Sequence, residues 1–266
     1  MQRTELLHGR TKLKATKNPG GGPCDRGAIG AKAAKMMRHA KAQESRLERE
    51  IEKREALMHD VEYDERLKLH PEPYFRQNLL LSKDLSIFYG DRCVANGISL
   101  TLNRGDRIAL VGRNGCGKSS LLKLLVGQPI AHTGTLEIGS RLTVSYVPQD
   151  MSFLSGSADD FAAESEIDLT LFKTILRKLD FKRTQFTKDM SEFSMGQKKK
   201  VLLARSLCQR ANLYIWDEPL NYIDVISRLQ IETLILEYKP TMLFVEHDEA
   251  FVNDIATKVC RISLNQ

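Results

Sequence analysis

The sequence predicts an α/β fold in which a parallel core sheet is covered by helices, with a small antiparallel β region attached and a long helical arm in front. Two observations support this prediction. From residue 76 onward, short apolar runs come first and then alternate with helical segments, a pattern typical of a parallel sheet wrapped by helices. Residues 28–69, by contrast, contain one glycine, no proline and many Ala, Lys, Arg, Glu and Leu, which favour one long helix.

The amino-terminal region differs in texture from the rest of the chain. Residues 1–27 are polar and glycine-rich and predict a loop, and the segment HPEPYF at 70–75 ends the helix that follows. A single narrow apolar stripe runs along that helix and consists of Ala33, Met37, Ala40, Leu47, Ile51, Met58 and Val61. One stripe on a long charged helix predicts one partner helix, as in an antiparallel coiled-coil arm, and no such helix follows it.

Positive charge is concentrated in the same region. Residues 1–41 contain ten Lys or Arg and two acids, a net charge of +8, so the remaining residues sum to −2 within a total of +6. A basic lead segment suits a polyanion, and we expect nucleic acid rather than a membrane surface, a merely solvated end being the alternative. The five cysteines are scattered without C-x-x-C pairs, which indicates a reducing compartment. No apolar run is long enough to span a bilayer and no secretory signal is apparent, so we expect a cytoplasmic protein without direct membrane insertion.

The elements after residue 76 follow from apolar runs and their spacing. Strands are predicted at Leu79–Leu81, Leu85–Phe88, Ile98–Leu102, Arg107–Val111, Thr135–Ile138, Thr143–Val147, Leu213–Trp216, Met242–Val245 and Val259–Ile262. Helices are predicted at 117–126, 158–178, 195–209, 224–238 and 248–255.

The stretch GRNGCGKSS, at 112–120, directly follows the strand that ends at Val111 and matches the pattern G-x-x-x-x-G-K-[ST]. Its glycines allow backbone amides to turn toward phosphate oxygens, and the start of the next helix adds partial positive charge. Lys118 is expected to reach the β- and γ-phosphates, and Ser119 to ligate Mg²⁺. The candidate nucleotide contacts in this loop are Gly112, Asn114, Gly115, Gly117, Lys118, Ser119 and Ser120.

A second candidate site lies in NLYIWDEP. The apolar run Leu213–Trp216 ends in Asp217, which is placed to hold Mg²⁺, and Glu218 comes next. Acids at the carboxyl end of a parallel strand face the crevice where α/β folds bind ligands. Glu218 is therefore the candidate general base, or the group that orients the attacking water. Taken alone, an acid followed by proline is also a common strand terminator.

With these residues in place, the chain resembles the ATP-binding cassette (ABC) ATPases over about residues 79–262. The motifs of that family occur in order: FYG with Tyr89, VPQD with Gln149, FSMGQ at 193–197, WDEPLNYID at 216–224 and VEHDEAF with His247. The resemblance implies an ABC cassette with a helical subdomain that binds ATP and Mg²⁺. It implies that Tyr89 stacks on adenine, that Gln149 contacts Mg²⁺ and that His247 contacts the γ-phosphate. Individually, these residues also fit a packed aromatic, a turn residue and a helix cap.

The resemblance further implies a composite site shared with a facing cassette. Ser194, Gly196 and Gln197 would cap the γ-phosphate of a nucleotide bound to that cassette. Asn221 and Asp224 would lie in the loop that links the two sites. The chain departs from the family pattern in two places, since Met195 replaces a glycine of L-S-G-G-Q and the sequence LNYID replaces T-N-H-L-D at 220–224.

These departures, together with KMMRHAKA at 35–42, resemble the ABC-F proteins of bacterial antibiotic resistance, in particular the type that acts against lincosamides, streptogramin A and pleuromutilins. Such proteins have two cassettes and a helical linker that enters the ribosomal exit-tRNA site. The resemblance implies that residues 1–75 are part of that linker, a loop tip and a returning helix, and that residues 76–266 are the second cassette. A second cassette would then be an upstream half of the protein or a second copy paired head to tail.

Three functions remain open at this point. The leading one is an ATP-hydrolysing, ribosome-binding factor that protects against antibiotics, with its basic arm contacting rRNA or tRNA phosphates. A cassette without its partner is expected to turn over slowly, because it holds half of each composite site. The alternatives are the ATPase subunit of a membrane ABC transporter and a degenerate fragment without activity.

Overall fold

The structure, a computed structural model, describes residues 67–262, so the predicted loop and most of the predicted arm helix lie outside the described residues. Strands are β1 (His70–Pro71), β2 (Asn78–Tyr89), β3 (Arg92–Asn103), β4 (Arg107–Val111), β5 (Ala131–Ile138), β6 (Val144–Val147), β7 (Arg210–Ala211), β8 (Leu213–Asp217), β9 (Met242–Val245) and β10 (Lys258–Arg261). Helices are α1 (Lys118–Leu125), α2 (Ala158–Glu164), α3 (Leu169–Lys178), α4 (Met195–Cys208), α5 (Val225–Tyr238) and α6 (Glu249–Ile255). Two short 3-10 turns, Arg183–Gln185 and Met190–Glu192, precede α4.

A five-stranded parallel sheet in the order β10-β4-β9-β8-β6 forms the centre of this unit. The inner strands β4, β9 and β8 are buried on both faces, whereas the edge strand β10 is mostly exposed. Side chains of the inner strands alternate between two hydrophobic cores. In β8, Tyr214 and Trp216 belong to one core, whereas Leu213 and Ile215 belong to the other. Burial on both faces explains why these strands are continuous apolar runs in the sequence. The predicted α/β fold with a parallel sheet is confirmed.

The two cores separate the cassette into layers. One core joins the central sheet to α2–α6, and the other joins it to α1 and to a three-stranded antiparallel sheet in the order β3-β2-β5. The antiparallel sheet is the small β region that the early β-rich sequence predicts. The layer that holds α2 and α3 corresponds to the expected helical subdomain.

The prediction of separate strands at Leu79–Leu81 and Leu85–Phe88 is wrong, because both runs belong to the single strand β2. Asp84 has a φ of 46°, and the pairing with β3 shifts register between Ser82 and Leu85. A bulge therefore absorbs the polar residues that interrupt the apolar pattern without ending the strand.

The single helix predicted at 158–178 is also wrong, because α2 ends at Glu164 and α3 begins at Leu169. Glu166 has a φ of 53°, and the Asp168 carboxylate accepts the backbone N–H of Leu171 at 2.6 Å. The Asp168 cap starts a new helix at a place where the sequence contains neither glycine nor proline.

Residues 67–69, the predicted end of the arm helix, are not helical. Leu67 and Leu69 are both buried in the core at a spacing of two residues, which suits extended backbone, and β1 then pairs in parallel with β7. Tyr74 is buried as well, so the folded unit extends upstream of residue 76. The division of the chain into a linker and a cassette stays a prediction.

Candidate nucleotide-binding site

The carboxyl ends of the central strands place the predicted motifs side by side. β4 leads into the loop at 112–117, β9 leads into His247, β8 ends at Asp217 and β6 leads into Gln149. Because the sheet order is β4-β9-β8-β6, these four segments are neighbours along one edge of the sheet. Parallel α/β sheets bind their ligands at this edge.

The loop at 112–117, which we call the phosphate loop, packs closely against neighbouring segments at two of its glycines. A Cβ added to Gly112 would lie 2.4 Å from the carbonyl oxygen of Ile262, and one added to Gly117 would lie 2.7 Å from the carbonyl oxygen of Val94. Gly117 also has a φ of 88°, in the left-handed region that disfavours side chains. The loop conformation therefore requires glycine at both positions, and the approach to Val94 brings β3 against the loop.

Lys118 opens α1 with its side chain folded over the phosphate loop. Its ammonium group donates hydrogen bonds to the carbonyl oxygens of Gly112 at 2.8 Å and Arg113 at 3.1 Å. The side chain is buried, and its ammonium group lies beside these loop carbonyls. Asn114 and Gly115 are exposed at the tip of the loop, and Ser119 and Ser120 are half-buried in the first turn of α1.

Asp217 is fully buried, and neither of its carboxylate oxygens has a hydrogen-bond partner of acceptable geometry within the described residues. Burial raises the pKa of Asp217, and the charge of Glu218 adds to the rise; the nearby Ser119 hydroxyl and the ammonium of Lys199 act against it. Transfer of a carboxylate from water into the protein interior without hydrogen-bond partners costs on the order of several kcal/mol. A bound cation would remove that penalty.

These residues fit Mg²⁺. Within residues 67–262, no group of three or more His, Cys, Asp or Glu side chains has metal-binding geometry. A site with one carboxylate, Asp217, and one nearby hydroxyl, Ser119, suits a cation that keeps waters and phosphate oxygens as its other ligands. Gln149, which the family resemblance also assigns to the metal, donates a hydrogen bond to Glu218 in this structure, and its role as a metal ligand stays a prediction.

Glu218 is held by three side chains from different segments. Its Oε2 accepts hydrogen bonds from Gln149 Nε2 at 2.8 Å and from Asn221 Nδ2 at 2.6 Å. Its Oε1 lies 3.3 Å from His247 Nε2. The residue has a φ of 48°, an uncommon backbone conformation for a non-glycine residue, directly after the buried strand. The carboxylate is therefore fixed in orientation beside Asp217.

The residues expected to cap the γ-phosphate of a facing cassette, at 194–197, form the start of α4. Ser194 Oγ accepts the backbone N–H of Gln197, and Gln197 Oε1 accepts the backbone N–H of Ser194, which makes a reciprocal capping box. A Cβ on Gly196 would lie 2.6 Å from the carbonyl oxygen of Tyr222. The start of α4 thus packs directly against the loop at 220–224.

Two further predicted residues have local partners. Asp224 caps α5 by accepting the backbone N–H of Ser227 at 3.0 Å, and it pairs with Lys200 at 2.6 Å. Burial acts to raise the pKa of Asp224, but the hydrogen bonds from Lys200 and Ser227 outweigh it, and the pKa is lowered. Tyr89 ends β2 with about half of its surface exposed, as a stacking surface would require.

Sequence reasoning missed two buried charged residues at this edge. Lys199, in α4, is 1% exposed, and its ammonium donates to the carbonyl oxygens of Pro148 and Asp217. Burial lowers the pKa of Lys199, and the charges of Asp217, Glu218 and Glu246 oppose that shift. Glu246 is 5% exposed and follows the apolar run of β9. An acid at the end of a buried strand is the signal that singled out Asp217, and it would have found Glu246 too.

This fold, with its phosphate loop facing Asp217 across one sheet edge, is that of an ABC ATP-binding cassette. A family model described as ABC transporter matches residues 95–221. The solved structure of an ATP binding subunit of an ABC transporter superposes with a TM-score of 0.59 at 22% identity, and the match covers 70% of this chain and 88% of that one. That similarity supports the fold.

Three curated proteins are similar to this chain in sequence. The ribosome protection protein VmlR of Bacillus subtilis is 27% identical over 88% of this chain and 43% of its own length. The ATP-binding protein Uup of Caulobacter vibrioides is 31% identical over 66% of this chain and 30% of its own. ABC transporter F family member 2 of Arabidopsis thaliana is 28% identical over 70% of this chain and 28% of its own length. The chain is therefore an ABC ATP-binding cassette with ABC-F homologues, and it spans less than half the length of these relatives.

Helices of the described part of the chain are all too short or too polar to cross a lipid bilayer.

Proposed function

We propose that this chain is the ATP-hydrolysing cassette of a cytoplasmic ABC-F protein that binds the ribosome and protects it against antibiotics. The observation that carries the proposal is the buried Asp217 carboxylate without hydrogen-bond partners, at the edge where the phosphate loop and Glu218 meet. A carboxylate in that environment is favourable only when a cation completes it. The phosphate loop beside it suits the anionic ligand that such a cation bridges, which supports Mg-ATP.

The chemistry of the proposed reaction follows from the groups around Glu218. Loop amides and Lys118 would bind the β- and γ-phosphates, and Glu218 would orient the attacking water and accept its proton. Two amide donors already occupy Glu218 Oε2, so Oε1, on the side of His247, is the oxygen left for water. Bound Mg²⁺ would neutralise charge on the phosphate oxygens.

Hydrolysis would also require a second cassette. Ser194, Gly196 and Gln197 would complete the site of a nucleotide held by that cassette, as the ABC resemblance implies. The large exposed side chains of Met195 and Tyr222 lie on this face, 47% and 66% exposed, and apolar exposure of this kind suits an interface. The partner would be an upstream half of the protein or a second copy in head-to-tail arrangement.

Ribosome binding is supported by two observations of different kinds. One relative that aligns over most of this chain is named a ribosome protection protein, and residues 1–41 carry a net charge of +8. Contacts with rRNA or tRNA phosphates would suit that charge. The alternative, an ATPase subunit that docks on a membrane transporter, is supported by the family model and by similarity to a solved metal-chelate type ABC transporter. Sedimentation with ribosomes rather than with membranes would separate the two.

The test of hydrolysis uses the full chain and two matched variants. We expect the wild type to bind Mg-ATP and to hydrolyse it with a specific activity that rises with protein concentration, because two copies must pair. Glu218→Gln should keep nucleotide affinity within about 2-fold and lower turnover by 100-fold or more, on the order of the loss when a catalytic base is removed. Glu237→Gln, which removes an exposed acid of α5, should behave as wild type. Turnover by Glu218→Gln at the wild-type rate would overturn its assignment, and a folded chain that does not bind Mg-ATP would overturn the function.

A further inference from the structure

The buried carboxylate of Glu246 joins the two loops that hold Glu218. Glu246 Oε1 accepts the backbone N–H of Leu220 at 2.8 Å, and Glu246 Oε2 accepts the backbone N–H of His247 at 3.0 Å. The first loop, at 218–224, follows β8, and the second follows β9. One side chain, 5% exposed, thus connects the segments after two neighbouring strands.

Each of these bonds lies at or next to a residue that contacts Glu218. Leu220 precedes Asn221, whose amide donates to Glu218 Oε2 at 2.6 Å. The other bonded residue, His247, lies with its Nε2 3.3 Å from Glu218 Oε1. Glu246 therefore fixes the backbone at two points from which side chains reach the two oxygens of Glu218.

We infer that Glu246 is a positioning residue for ATP hydrolysis, which holds Asn221 and His247 in register on Glu218. The inference rests on the proposed function, because it assigns a role to Glu246 in the same reaction. Both carboxylate oxygens of Glu246 accept backbone N–H groups, so Glu246 acts through the residues that it aligns. Small displacements of reacting groups have large effects on rate, up to about 100-fold for a shift of about 1 Å.

A carboxylate suits this position better than an amide or a hydroxyl. The two bonded groups are both donors and reach different oxygens, so the side chain must present two acceptors. A glutamine of the same size would satisfy one N–H and direct its own NH₂ donor at the other. Lys199 is a nearby cation whose charge interacts with that of Glu246 in the same buried region.

The experiment compares Glu246→Gln with Glu249→Gln in the full chain. Glu249 lies three residues further along, in the first turn of α6, and is exposed, so it controls for the loss of one negative charge. For Glu246→Gln we expect kcat to fall about 10-fold or more while KM and the affinity for Mg-ATP change less than about 2-fold, because positioning of the base affects the transition state alone. Equal kcat in Glu246→Gln and wild type, with the wild type active, would overturn the role of Glu246 and leave the function intact.

A spectroscopic measurement on the wild type makes the inference independent of how well the variants fold. Amide protons of Leu220 and His247 that donate to a buried carboxylate should resonate downfield and exchange slowly with solvent. Their upfield shift in Glu246→Gln, and not in Glu249→Gln, would support the inference. Rapid exchange of both amides in the wild type would overturn it, whereas absence of ATP turnover in the wild type would reject the proposed function instead.

Discussion

Among single residues, Asp217 shows most clearly how the proposed ligand site opposes stability. Its carboxylate is fully buried at the end of β8, and within the described residues neither oxygen has a hydrogen-bond partner. Burial raises its pKa, which means that the folded protein favours the protonated form more than the unfolded chain does. The arrangement is unfavourable without a cation and becomes favourable with one.

Replacement of Asp217 by Asn should therefore stabilise the protein without ligand while it weakens Mg-ATP binding. The free energy of unfolding should rise by on the order of 1 kcal/mol at neutral pH, because an unpaired buried charge is removed. The pKa of Asp217 in the folded protein lies above the unfolded value of about 3.9. The stability of the wild type should therefore fall as pH rises from the unfolded pKa to the folded pKa, and the stability gained by Asp217→Asn should grow over the same pH range.

Urea unfolding, followed from acidic to neutral pH, measures the effect of Asp217→Asn. Asp254→Asn, at an exposed position of α6, serves as the control and should change stability by less than about 0.5 kcal/mol. Equilibrium binding with and without Mg²⁺ completes the test, since the variant should lose the increase in affinity that the metal provides. Lower stability of Asp217→Asn would contradict the interpretation of its burial.

Residue types at this site could be predicted from the sequence, but their partners could not. Asp217 and Glu218 stand out because two acids follow a buried apolar run. The partners of Glu218, by contrast, are the donors Gln149 and Asn221 and the nearby ring of His247, which lie on three separate segments. Sequence spacing carries no information on hydrogen bonds across strands, so the placement of Gln149 on Glu218 emerges only from the fold.

For individual elements, predictability depends on where the signal for a boundary resides. The apolar run Leu213–Trp216 predicts β8 within one residue, because burial on both faces gives an uninterrupted apolar run with sharp ends. The bulge at Asp84 and the cap at Asp168 were missed, because each depends on the backbone conformation of a polar residue that also occurs in regular elements. Local backbone geometry, and not hydrophobicity, decides these two boundaries.

The start of α4 provides a prediction for an element. A methyl group at Gly196 would lie 2.6 Å from the carbonyl oxygen of Tyr222, which belongs to the loop after β8. Gly196→Ala should force α4 and that loop apart and reduce the free energy of unfolding by about 1–3 kcal/mol, as overpacking does. Met195→Ala, at the neighbouring half-exposed position, should reduce it by about 0.5 kcal/mol or less. Thermal and urea unfolding of both variants measure the difference, and equal stability would exclude the contact with Tyr222 as the reason for glycine.

The whole molecule is asymmetric in charge, and the proposed ribosome binding depends on that asymmetry. Residues 1–41 carry +8, while all other residues together carry −2. Binding to RNA through phosphates releases counterions, so the affinity of the full chain for ribosomes should fall steeply as salt increases. The proposed hydrolysis would take place at the sheet edge of the cassette and should depend on salt much less.

Removal of four charges from residues 1–41 tests whether ribosome binding depends on this segment while ATP hydrolysis does not. With Lys32, Lys35, Arg38 and Lys41 all changed to Gln, the slope of log affinity against log salt should become shallower by about three, since each lost phosphate contact contributes roughly 0.7–0.9. The ATPase rate without ribosomes should stay within about 2-fold of wild type, because these changes leave the nucleotide site intact. A control with Arg177, Lys182, Arg183 and Lys188 changed to Gln removes four exposed charges from the cassette itself. Ribosome sedimentation over a salt series measures both variants, and an equal loss of affinity in the two would show that the contact is not specific to the amino-terminal segment.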